Sequence, residues 1–175
     1  FILILGLLVS HKQRETIKAS RLNVITDRLT GVYNKKYLNS SQYLNKIDQC
    51  NNGILFYVDG DKIKSINDNY GHDYGDIAIK CISDSINEHI SDNDDVVRVG
   101  GDEFLVIFYR TTPEKVDQIK DKIVSTLKSI SSNKFTFLDE PLSISIGISN
   151  FESEKDVNFA ISQADMNMLK KKKGS

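Results

Sequence analysis

Val97-Arg98-Val99-Gly100-Gly101-Asp102-Glu103-Phe104, continuing into Leu105-Val106-Ile107-Phe108, is the stretch on which the fold turns. Two apolar runs flank a Gly-Gly pair. That pattern predicts a hairpin whose two-residue turn uses positive-φ conformations, which glycine enters without steric cost. The second strand opens with two acids and then becomes almost wholly apolar, as a strand covered on both faces does. Asp102 and Glu103 therefore stand at the mouth of a hairpin whose body is core. Carboxylates held at a strand end can grip a divalent cation. They can equally be solvated turn residues that guard a sheet edge. The hairpin alone does not choose.

Working outward, 175 residues suffice for one domain with a full core plus an appendage. With 23 basic against 24 acidic side chains, no basic excess points to nucleic acid and no acidic excess points to disorder. Cys50 and Cys81 lack metal-site or redox-motif spacing, and Cys81 falls on an apolar helical stripe, so it reads as a buried reduced thiol. Phe1 to Val9 are all apolar or Gly, with His11, Lys12, Arg14, Lys18 and Arg21 following. A bilayer-crossing helix needs ~20 apolar residues. The stretch therefore reads as the cytoplasmic end of a longer membrane helix, its basic cluster following the positive-inside rule. A short core helix or a signal-peptide remnant is the alternative. The expected organisation is the end of a membrane helix at 1–10, a connecting helix at 11–29 able to pair with a second copy, and one globular domain at 30–175. That places the protein at the cell inner membrane with the domain facing the cytoplasm.

Along the domain, Asp27-Arg28-Leu29-Thr30-Gly31-Val32-Tyr33-Asn34 breaks the connecting helix at Gly31, and Asn34 can cap a helix running roughly from Lys35 to Asp48. Ile54-Leu55-Phe56-Tyr57-Val58 is a strand that ends abruptly in Asp59-Gly60-Asp61. A loop-rich segment follows. Ala78, Ile82, Ile86 and Ile90 then recur at helical spacing, as do Val116, Ile119, Ile123, Leu127 and Ile130 after the hairpin. Leu142, Ile144, Ile146 and Ile148 alternate with Ser143, Ser145, Gly147 and Ser149, a half-buried strand with small residues on its other face. Val157, Ala160, Ile161, Ala164 and Met168 mark a last helix. The order predicts an α/β (α+β) fold with a mostly antiparallel central sheet flanked by helices.

Asp59 closes an apolar strand, where open sheets place their ligands. If that strand lies beside the Gly-Gly hairpin, Asp59, Asp102 and Glu103 converge. Acids around one point repel unless a cation sits among them, and a hard, oxygen-liganded ion is the natural partner. Such ions mostly serve phosphate substrates. A calcium loop opening at Asp59 is excluded, because its fifth, sixth and twelfth positions are Ile63, Lys64 and Tyr70. Asn67 to Asp76 is dense in Asn, Asp and Gly. Such residues suit the reading of a purine edge, since a carboxylate can accept from the adjacent donors of guanine. They also suit a run of turns and caps.

Taken together, Asp59-Gly60-Asp61-Lys62-Ile63-Lys64-x-Ile66-Asn67-Asp68-x-x-Gly71-His72-x-x-Gly75-Asp76, followed by Arg98-x-Gly100-Gly101-Asp102-Glu103-Phe104, closely resembles the GGDEF family of diguanylate cyclases. Asp27-x-Leu29-Thr30-Gly31-Val32-x-Asn34, Ser145-Ile146-Gly147 and Ala164-Asp165 resemble further landmarks of that family, so the likeness runs from about residue 25 to 173. The resemblance implies a palm-like nucleotidyl cyclase domain that binds one GTP. Two such domains would meet as a homodimer and condense two GTP into cyclic di-GMP with release of pyrophosphate. It implies Mg²⁺ or Mn²⁺ held by Asp59, the main-chain carbonyl of Gly60, Asp102 and Glu103. Asn67 and Asp76 would read guanine, with Lys64, His72 and Lys172 as further substrate contacts. Asp102 and Glu103 are the implied catalytic acids, and either could be ligand first and base second.

Departures from the family pattern carry expectations of their own. Gly60 stands where a branched apolar residue is usual, which predicts a looser backbone there. The family's inhibitory product site is an Arg-x-x-Asp before the Gly-Gly pair. Here Ser91 replaces the Arg while Asp94 remains, and serine cannot make the bidentate contact the site needs, so that site is expected to be absent. A catalytically silent GTP-binding or protein-interaction module is the competing reading. Use of ATP beside GTP is a narrower one, and Asp76 opposes it, because adenine lacks the matching donor pair.

Overall fold

The computed structural model describes residues 24–50 and 52–174. Its sheet comprises β1 (Tyr33–Asn34), β2 (Gly53–Gly60), β3 (Asp95–Arg98), β4 (Glu103–Tyr109) and β5 (Ile144–Phe151), in the order β1-β3-β4-β2-β5. Only the β1–β3 pair is parallel; β3–β4, β4–β2 and β2–β5 are antiparallel. The helices are α1 (Ser41–Asp48), α2 (Ile63–Tyr70), α3 (His72–Asn87), α4 (Pro113–Lys134) and α5 (Val157–Gly174). The mostly antiparallel sheet with flanking helices is the one the sequence predicts.

Strand alternation divides the core in two. Ile54, Phe56 and Val58 of β2, with Phe104, Val106 and Phe108 of β4, face Ile63 and Ile66 of α2, Ile82 and Ile86 of α3, and Ile123 and Leu127 of α4. Leu55, Leu105 and Ile107 face the other way, onto Tyr43 and Ile47 of α1 and Val157, Ala160 and Ala164 of α5. β2 and β4 are therefore apolar on both faces because helices cover both. On β5 the isoleucines face α2–α4, and the small residues expected opposite them let α5 approach closely. A Cβ at Gly147 would collide with the carbonyl oxygen of Ala164 and crowd Met168.

The far end of β3 is fixed by Asp95, which is 2% exposed. It accepts from Tyr37 (2.9 Å), Tyr109 (2.6 Å) and Lys46 (2.7 Å). Burial, then the neighbouring Asp95 charge, pushes both phenols far above the usual tyrosine range. Removing one partner of so buried a charge typically costs about 3–5 kcal/mol. The network ties the segment before β2 to the hairpin.

Several local expectations are corrected. The Asn/Asp-rich stretch after Asp61 is not loop-rich but forms α2 and the start of α3, broken only at Gly71 (φ +91°). Asn and Asp each oppose a helix by up to about 0.7 kcal/mol. Fully burying an isoleucine contributes about 1.5–3 kcal/mol, and α2 buries both Ile63 and Ile66. The helix expected from Lys35 to Asp48 is a 3₁₀ turn (Lys35–Asn39) and α1, divided at Ser40, whose side chain caps α1 through Tyr43 N–H. Asn34 does cap the 3₁₀ turn, through Lys36 N–H. The connecting helix expected to reach Leu29 has ended before Thr26, which already bridges Tyr33. The hairpin is wider than a two-residue turn, and neither Gly100 nor Gly101 has a left-handed φ. Gly100 is required for another reason: a Cβ there would collide with the Glu103 carboxylate.

The inner-membrane placement is also corrected. No helix among the described residues is long and apolar enough to cross a membrane. The expectations for residues 1–10 and for most of 11–29 lie outside the described residues.

The Gly147 contact is directly testable. Gly147→Ala is expected to lower stability by about 1–3 kcal/mol in urea unfolding, since α5 must move to admit the methyl group. Gly101→Ala adds a Cβ that meets nothing within 4 Å and should change stability by less than about 0.5 kcal/mol. Equal effects at the two positions would contradict the packing.

Candidate active site

The register of the central pair builds the site. Asp59, the penultimate residue of β2, lies opposite Glu103 on β4 and opposite Ser145 on β5. Asp59 and Tyr57 are two apart on one strand, so both project from the α5 face of the sheet together with Glu103. Gly60 projects from the other face, where a Cβ would meet Ile63 and Ile82, each at 2.8 Å. It is buried, pairs with Ile144 and donates its N–H to the Asp102 carbonyl at 3.0 Å. The looser backbone expected there is not found; the missing side chain makes room for core isoleucines.

Asp102 and Glu103 thus follow Gly100 and Gly101 at the strand end nearest Asp59, as expected. The loop is held from outside by Arg98, whose Nε (3.0 Å) and Nη2 (2.6 Å) both donate to the Gly101 carbonyl. Arg98 Nη1 donates to Asp27 at 3.0 Å, and Asp27 also accepts from the Thr30 N–H (3.0 Å) and hydroxyl (2.7 Å). Burial works against the Asp27 charge, but these hydrogen bonds outweigh it and hold its carboxyl below the usual range. Gly31, at φ +76°, lets the chain turn back for this contact. The acidic loop and the segment at Asp27 are therefore one bonded unit.

Electrostatically the site is short of positive charge. Burial first, and then Asp59, Asp102 and Asp165, raise the Glu103 carboxyl, with a Tyr57 hydrogen bond opposing them. Tyr57 is itself pushed up to about 12 by burial and by Glu103, Asp165 and Asp59. Burial also raises Asp59, and Asp102 and Asp61 add to it, together outweighing its pairing with Lys172. Lys172 bonds Asp59 directly and lies 3.8 Å from Asp61. Desolvation works against its charge, but Asp59, Asp61 and Asp102 prevail and raise it. Asp61 is occupied by the hydroxyls of Ser143 and Ser145, both at 2.8 Å.

Asn67 on α2 lies over Gly75 of α3, where a Cβ would collide with its amide, so Asn67 adjoins the backbone next to Asp76. Lys64 is exposed on the first turn of α2, and His72 is exposed at the start of α3. Ser91 and Asp94 are hydrogen-bonded to each other. Asp94 accepts from the Ser91 hydroxyl (2.7 Å) and N–H (3.2 Å), and from the Tyr109 N–H (3.2 Å). Tyr57 and Asp165 were not singled out as site residues. A usable signal existed, since Asp165 precedes Lys172 by two helical turns and so shares its face.

No group of three or more His, Cys, Asp or Glu side chains among the described residues is set as a metal cage. The donors that do converge, Asp59 and Glu103 with the main chain at Gly60 nearby, are hard oxygens. Asp59 already pairs with the Lys172 ammonium, and hard oxygen donors of this kind are the ones Mg²⁺ or Mn²⁺ would take.

This fold recurs in a solved structure. The coiled coil and GGDEF domain of DgcB from Caulobacter crescentus in complex with c-di-GMP superposes with a TM-score of 0.81 at 21% identity, covering 97% of this chain and 92% of that one. The family model described as "Diguanylate cyclase, GGDEF domain" matches residues 24–175, and the chain belongs to that family. The probable diguanylate cyclase DgcJ of Escherichia coli K12 is 38% identical over 113 residues, covering 63% of this chain and 23% of DgcJ. The diguanylate cyclase DgcP of Pseudomonas aeruginosa is 30% identical over 162 residues, covering 90% of this chain and 24% of DgcP. The chain thus spans about a quarter of the length of these curated relatives.

The raised Glu103 carboxyl has a consequence for stability. A carboxyl whose folded pKa exceeds its unfolded value costs stability as pH rises through that interval, and costs nothing below it. Glu103→Gln should therefore stabilise the protein at pH 7. The gain should fade as pH drops below the ordinary carboxyl value of 4.5, as followed by urea unfolding across pH. A gain that persisted unchanged at low pH would contradict this reading.

Proposed function

We propose that this chain carries an active diguanylate cyclase domain, which condenses two GTP into cyclic di-GMP and releases two pyrophosphates. The observation that supports it most is the intact Gly100-Gly101-Asp102-Glu103 loop with Glu103 in register with Asp59. Asp59, the Gly60 carbonyl, Glu103 and Asp102 would hold Mg²⁺ or Mn²⁺. The bound ion would offset triphosphate charge and favour ionisation of the attacking hydroxyl. Asn67, whose amide lies against Gly75, and the neighbouring Asp76 would offer an amide and a carboxylate to the guanine edge. Lys62, just before α2, is in a left-handed conformation (φ +60°) and gives the helix no side-chain cap, which leaves its first N–H groups to donate to phosphate oxygens. Lys64 and His72, exposed on α2 and at the start of α3, would be further substrate contacts, and Lys172 would supply a point charge.

In the reaction, the 3′-hydroxyl of one GTP attacks the α-phosphate of the other. The new ester bond replaces the bond to pyrophosphate, and Asp102 or Glu103 takes the hydroxyl proton. Each protomer carries one nucleotide, so a homodimer brings the two halves into range. The silent-module reading has two observations in its favour: Lys172 occupies Asp59, and the described acids do not close a three-ligand cage.

Concentrated protein incubated with GTP and Mg²⁺ tests the proposal, with cyclic di-GMP and pyrophosphate followed beside an Asp102→Ala, Glu103→Ala variant. Product from the parent, with at least about a hundredfold loss in the variant, is expected. Absence of product at every protein concentration, with GTP still bound, would favour the silent module.

A further inference from the structure

Lys172 does more in this structure than wait for phosphate. Its ammonium lies among the acids, bonded to Asp59 and 3.8 Å from Asp61. Asp59 is only 15% exposed in its side chain, so its charge is poorly met by water. Asp61 has both oxygens engaged by Ser143 and Ser145, and no second lysine or arginine among the described residues pairs with Asp59. An uncompensated half-buried carboxylate is costly, and Lys172 offsets part of that cost.

The helix that carries Lys172 is fixed independently of this contact. Ala164 and Met168 are 0% and 1% exposed, and Lys171 donates to the Ile146 carbonyl at 2.9 Å. The Lys172 side chain, by contrast, is 33% exposed, on a flexible four-carbon stem that can swing while α5 stays docked. A divalent ion at Asp59 must displace this ammonium. Displacement leaves Lys172 beside the incoming positive charge with only the longer contact to Asp61, a carboxylate already engaged by two serine hydroxyls. A triphosphate supplies another anion.

We propose that Lys172 is a resident counter-ion of the site, and that a divalent cation binds tightly only when a triphosphate takes over the Lys172 ammonium. The inference rests on the cyclase reading of the site, and it makes cation and nucleotide binding mutually cooperative. By linkage, the nucleotide tightens the cation by the same factor as the cation tightens the nucleotide.

Mn²⁺ binding, read from the paramagnetic resonance signal of the free ion, tests this without turnover. Titrations would use the whole chain alone and with a non-hydrolysable GTP analogue, for the parent, Lys172→Met and Lys173→Met. Circular dichroism would verify that each variant folds. In the parent, the analogue should tighten Mn²⁺ by about tenfold or more. Lys172→Met should bind Mn²⁺ alone about tenfold more tightly than the parent, a shift of ~1.4 kcal/mol, and should lose most of the cooperativity. Lys173→Met makes the same change in net charge one residue on and should behave as the parent. Unchanged or weaker Mn²⁺ binding by Lys172→Met alone would overturn the proposal, as would an equal effect at Lys173. Failure of the cyclase reading shows separately, as absence of analogue binding by the parent at any Mn²⁺ concentration.

Discussion

Antiparallel pairing of β2 with β4 puts Asp59 opposite Glu103, and every other feature of the site follows from that register. A slip by one residue would turn Asp59 toward the α2–α4 core and break the cluster. The register is held by apolar residues on both faces: Phe56 beside Val106 on one side, Leu55 beside Ile107 on the other. A strand pair covered twice has almost no freedom to slide. The acids at its end can therefore be kept close despite their repulsion, with burial of the strands opposing the electrostatic cost at their tips.

The structure around this pair is arranged so that each flank of the site is anchored by something other than the acids. Arg98 braces the Gly100-Gly101 loop and passes the load to Asp27. Gly147 lets α5 lie close enough for Asp165 and Lys172 to reach the sheet edge. At the opposite end of β3 and β4, Asp95 joins Tyr37, Tyr109 and Lys46 in a buried network that leaves none of its oxygens unpaired. Charge is thus buried at both ends of the sheet with opposite outcomes. It is fully compensated at Asp95 and left in excess at Asp59 and Glu103, where a cation and a nucleotide would find a use for it.

The framework was legible because its signals are periodic. The alternation around Ile146, the helical stripes at Ala78 to Ile86 and Val116 to Leu127, and the two acids after Gly100-Gly101 all appear where they were expected. What was not legible depends on tertiary contacts. α2 is rich in poor helix formers and exists because Ile63 and Ile66 find the sheet. Gly60 reads as looseness in sequence, whereas in the fold it is space filled by Ile63 and Ile82. Gly100 reads as turn chemistry and proves to be clearance for Glu103. The loss of Arg at Ser91 was visible, but the closure of Asp94 onto Ser91 and the Tyr109 amide was not. Tyr57 escapes because a single polar residue on an apolar strand carries no pattern until its neighbours are known, whereas Asp165 shares a helix face with Lys172 and could have been read.

The central claim is that the Asp59–Glu103 register exists to hold a cation beside a nucleotide triphosphate. Crystals grown with Mn²⁺ and a non-hydrolysable GTP analogue would test it most directly, through the anomalous scattering of manganese. The account predicts a manganese peak bounded by the carboxylates of Asp59 and Glu103, with the triphosphate running toward the start of α2. A bound analogue whose manganese lies elsewhere, with Asp59 still paired to Lys172, would contradict it.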